Sequence, residues 1–191
     1  MSKKIISIQG SEGSFNEEAC IKYLEENHLK DFVIDYAITS SNVIVKVSNN
    51  KSDLGIFAVY NSNSGIVKES FTAMGYYNFQ VVSVFDLKVS QCLHVKPGVT
   101  IEQIKRVISH PQAIAQSDVY LKTYLRTAEI IEGFDTAFEV QKLIKGEYDD
   151  KVTAVIASKI CQSKFNSKIL VTDIQNDENN YTTFCVIRTL S

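Results

Sequence analysis

Short extended runs rich in β-branched and aromatic residues alternate with helix-patterned stretches along almost the whole chain. That alternation leaves few architectures open. A strand covered on both faces reads as a near-continuous apolar run, and β–α alternation is the mark of an α/β fold. In the first half, 4–9, 32–36, 54–59 and 80–85 read as strands. Residues 17–27, behind Asn16 as the cap, and 67–74 read as helices. Residues 41–47 stay open, since their valines and isoleucine favour strand while the serines and Asn42 before them favour a helix start. In the second half, 87–95, 128–133, 151–157, 168–172 and 181–188 read as strands. Residues 101–108, 111–124, 136–144 behind Asp135, and 158–165 read as helices.

Composition narrows the function classes. The 191 residues suit one domain or two small lobes, and a 45% apolar, 22% charged chain is an ordinary globular one. A net charge of −2 with both signs scattered gives no basic stripe, so nucleic acid is not an expected partner. No apolar run approaches the roughly 18–20 residues that span a bilayer, so no membrane association is expected. The apolar stretch after Lys3 and Lys4 is too short for a signal peptide, which points to a cytoplasmic protein. Cys20, Cys92, Cys161 and Cys185 are isolated from one another, and His28, His94 and His110 are widely separated. The expectation is therefore reduced, buried thiols, with no metal and no cofactor. Two prolines and eight glycines leave no flexible linker.

Four polar loops, at 10–16, 61–65, 109–112 and 135–136, read as following extended segments and preceding helical ones. That is where open α/β sheets place their ligands. The third is the most ordered by its chemistry: Ser109-His110-Pro111-Gln112-Ala113-Ile114-Ala115-Gln116. Ser109 reads as the helix N-cap, Pro111 as a first-turn residue needing no N–H, and the alanines as helix continuation. Ser109, His110, Gln112 and Gln116 then surround the positive end of a helix, where oxyanions bind.

Taken in order with Gly10-Ser11-Glu12-Gly13-Ser14-Phe15, Asn61-Ser62-Asn63-Ser64-Gly65 and Asn180-Tyr181-Thr182-Thr183-Phe184, this segment resembles the catalytic domain of prephenate dehydratases over nearly the whole chain. The resemblance implies a two-lobed α/β fold of the periplasmic-binding-protein type (type II) with a central cleft. One lobe would hold approximately 1–83 plus 170–191, the other approximately 84–169. It implies a carbon–oxygen lyase that converts prephenate to phenylpyruvate in phenylalanine biosynthesis, with small-molecule substrate and no cofactor, and it allows a homodimer. Thr182, Asn61, Ser109 and Gln116 match the family's catalytic threonine, asparagine, serine and glutamine. Gly10, Gly13, Ser14, Phe15, Ser62, His110, Gln112, Thr136, Thr183 and Phe184 would border the substrate, with His110 a structural donor.

Two positions depart from the family pattern. Thr183 stands where relatives carry the arginine of Thr-Arg-Phe, and Tyr60 where they carry the glutamate of Glu-Asn-Ser. Loss of a mutually paired Arg and Glu would reconcile the two changes, in which case restoring either alone should destabilise. The chain ends at Ser191, with no room for the phenylalanine-binding ACT domain of relatives, so phenylalanine is not expected to act allosterically. Two other outcomes remain open at this stage: a prephenate decarboxylase that retains the ring hydroxyl, and a small-anion binding protein without chemistry.

Overall fold

Two β-sheets, each with helices packed on its apolar faces, account for most of the chain. The computed structural model describes residues 3–190. Its first half runs β1 (Lys4–Gln9), α1 (Phe15–Glu26), β2 (Phe32–Ile38), α2 (Ser40–Ser48), β3 (Leu54–Asn61), β4 (Gly65–Ile66), α3 (Lys68–Met74) and β5 (Gln80–Lys88). It continues with β6 (Gln91–Val95), a 3-10 turn (Ile101–Gln103), β7 (Arg106–Ser109), α4 (Pro111–Gln116), α5 (Asp118–Tyr124) and β8 (Glu129–Glu132). The last elements are α6 (Thr136–Lys145), β9 (Thr153–Ser158), α7 (Cys161–Phe165), β10 (Lys168–Val171) and β11 (Tyr181–Arg188).

The chain divides into two compact units, Met1–Lys88 with Asn179–Ser191, and Val89–Glu178. The first has the strand order β2-β1-β3-β11-β5, with β4 beside β3; the second has β10-β6-β9-β7-β8. The sequence placed the divisions near 83 and 170. They fall later because β5 extends to Lys88, and because β10 pairs antiparallel with β6 in the second sheet.

In the first unit, Ile6, Ile8, Phe184 and Val186 pack against Cys20 and Tyr23 of α1. Cys185 and Ile187, the alternate residues of β11, join Phe57 against Val43, Ile44 and Val47 of α2. Successive side chains on a strand point to opposite faces, so β11 feeds both cores. The same packing settles 41–47. Thr39 caps the helix by accepting the Asn42 N–H at 3.1 Å, and the i, i+1, i+4 spacing of Val43, Ile44 and Val47 buries one face. Tertiary burial outweighs the strand preference of β-branched residues here.

The second unit shows where the sequence reading went wrong. Residues 101–108 are not a helix: one 3-10 turn ends at Ile104, and β7 follows. Val107 packs into one apolar cluster and Ile108 into the other, as a doubly covered parallel strand requires. The expected long helix 111–124 is two helices. Asn176 inserts at the break, where its Nδ2 donates to the Ala115 carbonyl at 3.1 Å and its Oδ1 accepts the Val119 N–H at 3.1 Å. The expected strand 87–95 is likewise two strands, one in each sheet.

His94 is fully buried on β6, between Ser167 Oγ at 2.9 Å and the Ser158 carbonyl at 3.0 Å. Burial pushes its pKa down to about 4, against partial support for the charged form from backbone carbonyls. The unfolded chain therefore takes up this proton near pH 6.5, while the folded chain resists it until about pH 4. Stability from this group is complete above pH 6.5 and is lost between 6.5 and 4, by about 3 kcal/mol in all. Urea midpoints measured from pH 7.5 to 4.5 should fall more steeply for the wild type than for His94→Gln.

Candidate functional site

In the first unit the polar groups gather at the end of β3 and the start of β11. The antiparallel register sets Thr182 opposite Asn61 and Thr183 opposite Tyr60. Asn61 is a hub. Its Nδ2 donates to Thr182 Oγ1, Asn180 Oδ1 and the Tyr181 carbonyl, each at 3.0 Å. Its Oδ1 accepts the N–H groups of Asn63 at 3.1 Å and Ser64 at 3.0 Å, which shapes the turn into β4. Ser62 closes the same corner, accepting the Tyr181 N–H at 3.0 Å. The consequence for Thr182 is chemical. Its oxygen accepts from Asn61, so its own proton is directed elsewhere, and no acceptor holds it among the described residues.

The loop after β1 turns on Gly10 and Gly13, both at positive φ (+83° and +81°) where a Cβ is strained. Ser14, rather than Asn16, caps α1: its Oγ accepts the Glu17 N–H at 3.3 Å. Phe15 is the first helical residue and half-buried. Glu17, fully buried, braces the loop by accepting the Gly13 N–H at 2.7 Å and the Tyr36 hydroxyl at 2.5 Å. Burial, and then the adjacent Glu17 charge, hold the Tyr36 phenol well above its usual pKa, so it stays a donor. The loop begins where Gly10 donates to the Ile38 carbonyl at 2.9 Å, and Ile38 itself adopts φ +68°, a costly conformation for a β-branched residue.

In the second unit the reading of 109–116 needs correction. Ser109 is not the helix cap but the last residue of β7; it is fully buried and donates its hydroxyl to the Ile156 carbonyl at 2.6 Å. The cap is His110, whose Nδ1 accepts the Gln112 N–H at 3.2 Å, so it serves as acceptor rather than donor. Pro111 does take the first-turn position. Gln116 is half-buried, and its Oε1 accepts from Gln91 Nε2 at 3.1 Å. That bond fixes the amide's orientation and leaves the Gln116 NH2 as the group on offer. Thr136 opens α6 behind Asp135, whose Oδ1 accepts the Phe138 N–H at 2.8 Å.

Two expectations do not hold up side by side with these contacts. Phe184 cannot border a ligand: it is 1% exposed and stacks on Phe85 at 5.9 Å within the core. The polar loop 61–65 leads into the short strand β4, not directly into a helix. Sequence reasoning also missed the braces Glu17 and Gln91. Each is an ordinary polar residue whose meaning lies in partners far along the chain or on the next turn. Among the described residues no three His, Cys, Asp or Glu side chains gather as a metal site would require.

The loop spacing, the Asn61–Thr182 pair and the 109–116 turn can be set against known proteins. The family model of prephenate dehydratase matches residues 6–191. The chain belongs to the prephenate dehydratase family. It is 26% identical over 181 residues to a bifunctional chorismate mutase/prephenate dehydratase of Buchnera aphidicola, covering 95% of this chain and 46% of that one. It is 33% identical over 175 residues to a prephenate dehydratase of Methanocaldococcus jannaschii, covering 92% and 61%. The fold is shared with a prephenate dehydratase from Arthrobacter aurescens solved in complex with L-Phe, with a TM-score of 0.85, 20% identity, and coverage of 98% of this chain and 60% of that one. The chain thus spans about half to three-fifths of the length of these relatives.

Tyr60 and Thr183, the two positions set apart in the sequence, lie opposite each other across β3 and β11. Thr183 already has a carboxylate neighbour: its Oγ1 donates to Asp86 Oδ1 at 2.6 Å from the β5 side. A guanidinium at 183 would therefore meet Asp86 without any change at Tyr60. Thr183→Arg alone should keep its urea midpoint, whereas Thr183→Arg combined with Asp86→Asn should lose stability. Asn61→Asp should be harsher, costing about 2–3 kcal/mol by urea unfolding. It replaces the donor shared by three acceptors with a charged acceptor.

Proposed function

We propose that this chain catalyses the decarboxylating dehydration of prephenate to phenylpyruvate, a step of phenylalanine biosynthesis. In that reaction the bond between the ring and its carboxylate breaks and carbon dioxide leaves. The bonding pair enters the ring, and the ring C–O bond breaks to restore aromaticity. The departing oxygen needs a proton or a strong hydrogen bond as its charge develops. The observation that carries the proposal is the Asn61–Thr182 pair: Asn61 donates to Thr182 Oγ1 at 3.0 Å, so the Thr182 proton is free to turn to a leaving oxygen.

The other groups of the family pattern take supporting roles in this reading. The Gln116 amide, oriented by Gln91, is assigned to a substrate carboxylate, and the loop from Gly10 to Phe15, whose Gly10 and Gly13 N–H groups are held by Ile38 and Glu17, is assigned to the border of the substrate. Ser109 acts through its position, since its hydroxyl is engaged by Ile156. Ser62, His110, Gln112 and Thr136 shape the surrounding turns. Neutral donors of this kind suit a dianion whose charge falls during the reaction, because a strong fixed cation would favour the ground state. The buried thiols Cys20, Cys92, Cys161 and Cys185 suit a reducing compartment, and we assign the chain to the cytoplasm.

A second reading, decarboxylation without loss of the hydroxyl, is favoured by one feature: Asp86 holds the Thr183 hydroxyl where family members carry arginine. Incubation with prephenate separates the two when phenylpyruvate and carbon dioxide are followed independently. Dehydration yields both; decarboxylation alone yields only the gas. If Thr182 assists departure of the hydroxyl, Thr182→Ala should lower kcat about 10²–10⁴-fold with little change in KM or Tm. Thr182→Ser should retain most of the rate. Full activity in Thr182→Ala would remove this residue from the mechanism.

A further inference from the structure

We propose that Gln91 is the positioning residue that makes Gln116 select a carboxylate, and that this carboxylate is the one the ligand keeps through the reaction. The inference rests on the dehydratase reading only for the identity of that ligand. Gln91 is 3% exposed, and its Nε2 donates to Gln116 Oε1 at 3.1 Å. The far end of each amide carries the argument. Gln91 Oε1 is buried without a partner among the described residues, and the NH2 of the half-buried Gln116 is unengaged there too.

A buried acceptor left unpaired carries a cost and calls for an explanation. Turning both amides over would keep one hydrogen bond, now from Gln116 Nε2 to Gln91 Oε1. It would also leave the Gln91 NH2 buried with no acceptor. Buried carbonyls bear such a loss better than buried N–H groups, so the pair is held in one sense. The effect is felt at the exposed end, where Gln116 presents its NH2 and not its carbonyl. A carboxylate is accepted there, and a ligand that offers a donor is refused.

One segment of chain fixes the spacing of the two amides. The Gln91 N–H donates to Oε1 of the buried Gln175 at 2.9 Å, and the Gln91 carbonyl accepts the Ile174 N–H at 3.0 Å. Next along, the Asn176 N–H donates to the Gln116 carbonyl at 2.6 Å, and Asn176 Nδ2 to that of Ala115 at 3.1 Å. Residues 174–176 thus strap the start of β6 to the end of α4, and neither glutamine can withdraw without breaking these bonds.

Which carboxylate is taken follows from the energetics of the reaction. A fixed N–H on the carboxylate that leaves as carbon dioxide would stabilise the ground state and oppose its loss. A fixed N–H on the retained carboxylate stabilises ground and transition states alike. The glutamine pair therefore acts on KM rather than kcat, and acts equally on phenylpyruvate, which carries only the retained carboxylate.

The test uses the whole chain, with calorimetric binding of phenylpyruvate beside prephenate kinetics, in Gln116→Leu, Gln91→Glu, Gln91→Met and the two doubles with Gln116→Leu. A lost hydrogen bond to a charged group should make Gln116→Leu raise Kd and KM about 10–100-fold, with kcat within about twofold. Gln91→Glu puts an acceptor where the donor was. It turns the Gln116 amide over and should weaken binding as much as Gln116→Leu does. In the Gln116→Leu background it should weaken binding no further, a non-additivity that a merely structural role would not produce. Gln91→Met buries no charge and carries the test should Gln91→Glu not fold. It frees the amide to present either end, so Kd should rise about threefold, and this rise too should vanish in the double. Wild-type affinity in the Gln91 variants, or an equal loss with and without Gln116, would overturn the inference, as would a loss confined to kcat. If the wild type turns over no prephenate yet binds phenylpyruvate in a Gln91-dependent way, the inference stands and the dehydratase reading falls. If turnover is normal but phenylpyruvate binding ignores both glutamines, the inference falls and that reading stands.

Discussion

The antiparallel seating of β11 between β3 and β5 is the constraint on which the first unit depends. Phe184 and Val186 fill the core against α1, while Cys185 and Ile187 fill the one against α2. The same register sets Thr182 against Asn61. The pairing shifts between Thr183 and Phe184, so that Val59 of β3 has no opposite number on β11. A bulge of this kind changes which face the residues beyond it occupy. Core packing on one side of Val59 and polar chemistry on the other are thereby fitted to a single pair of strands.

Both units solve the problem of holding a loop ahead of a helix in the same way. Glu17 lies early in α1 and accepts the Gly13 N–H and the Tyr36 hydroxyl; Glu139 lies early in α6 and accepts the Phe134 N–H and the Tyr148 hydroxyl. A buried carboxylate is costly unless its lone pairs are satisfied, and these loops supply the donors. The loop gains a fixed shape, and the carboxylate gains its solvation. Polar satisfaction inside each unit and loop geometry at its surface are therefore one arrangement.

Much of this was legible in the sequence, and the failures have identifiable causes. Strands such as 4–9 and 181–188 declared themselves by continuous β-branched and aromatic residues, and α6 by Asp135 before a 3.6-residue apolar repeat. Ile101–Ile108 misled because its apolar spacing fits either period; what decides it is that Val107 and Ile108 are buried on opposite faces of a sheet. The break after Gln116 was invisible because its cause, Asn176, lies some sixty residues downstream. Within the candidate site the motif residues could be named from order and type. Their protonic roles could not, since the role of Thr182 depends on which direction Asn61 presents its amide.

The central position of β11 also bears on how the chain emerges from the ribosome. Every strand of the second sheet precedes residue 172, so that unit has all its strands before the first unit does. The first unit must wait for its last strand, and until then the flanking strands β3 and β5 lack the partner that lies between them. Loop closure across the whole intervening unit is needed before its cores can form. Synthesis order and folding order thus run against each other: the amino-terminal unit is the later one to be completed, and a nascent chain halted shortly before Tyr181 would expose the edges of both β3 and β5.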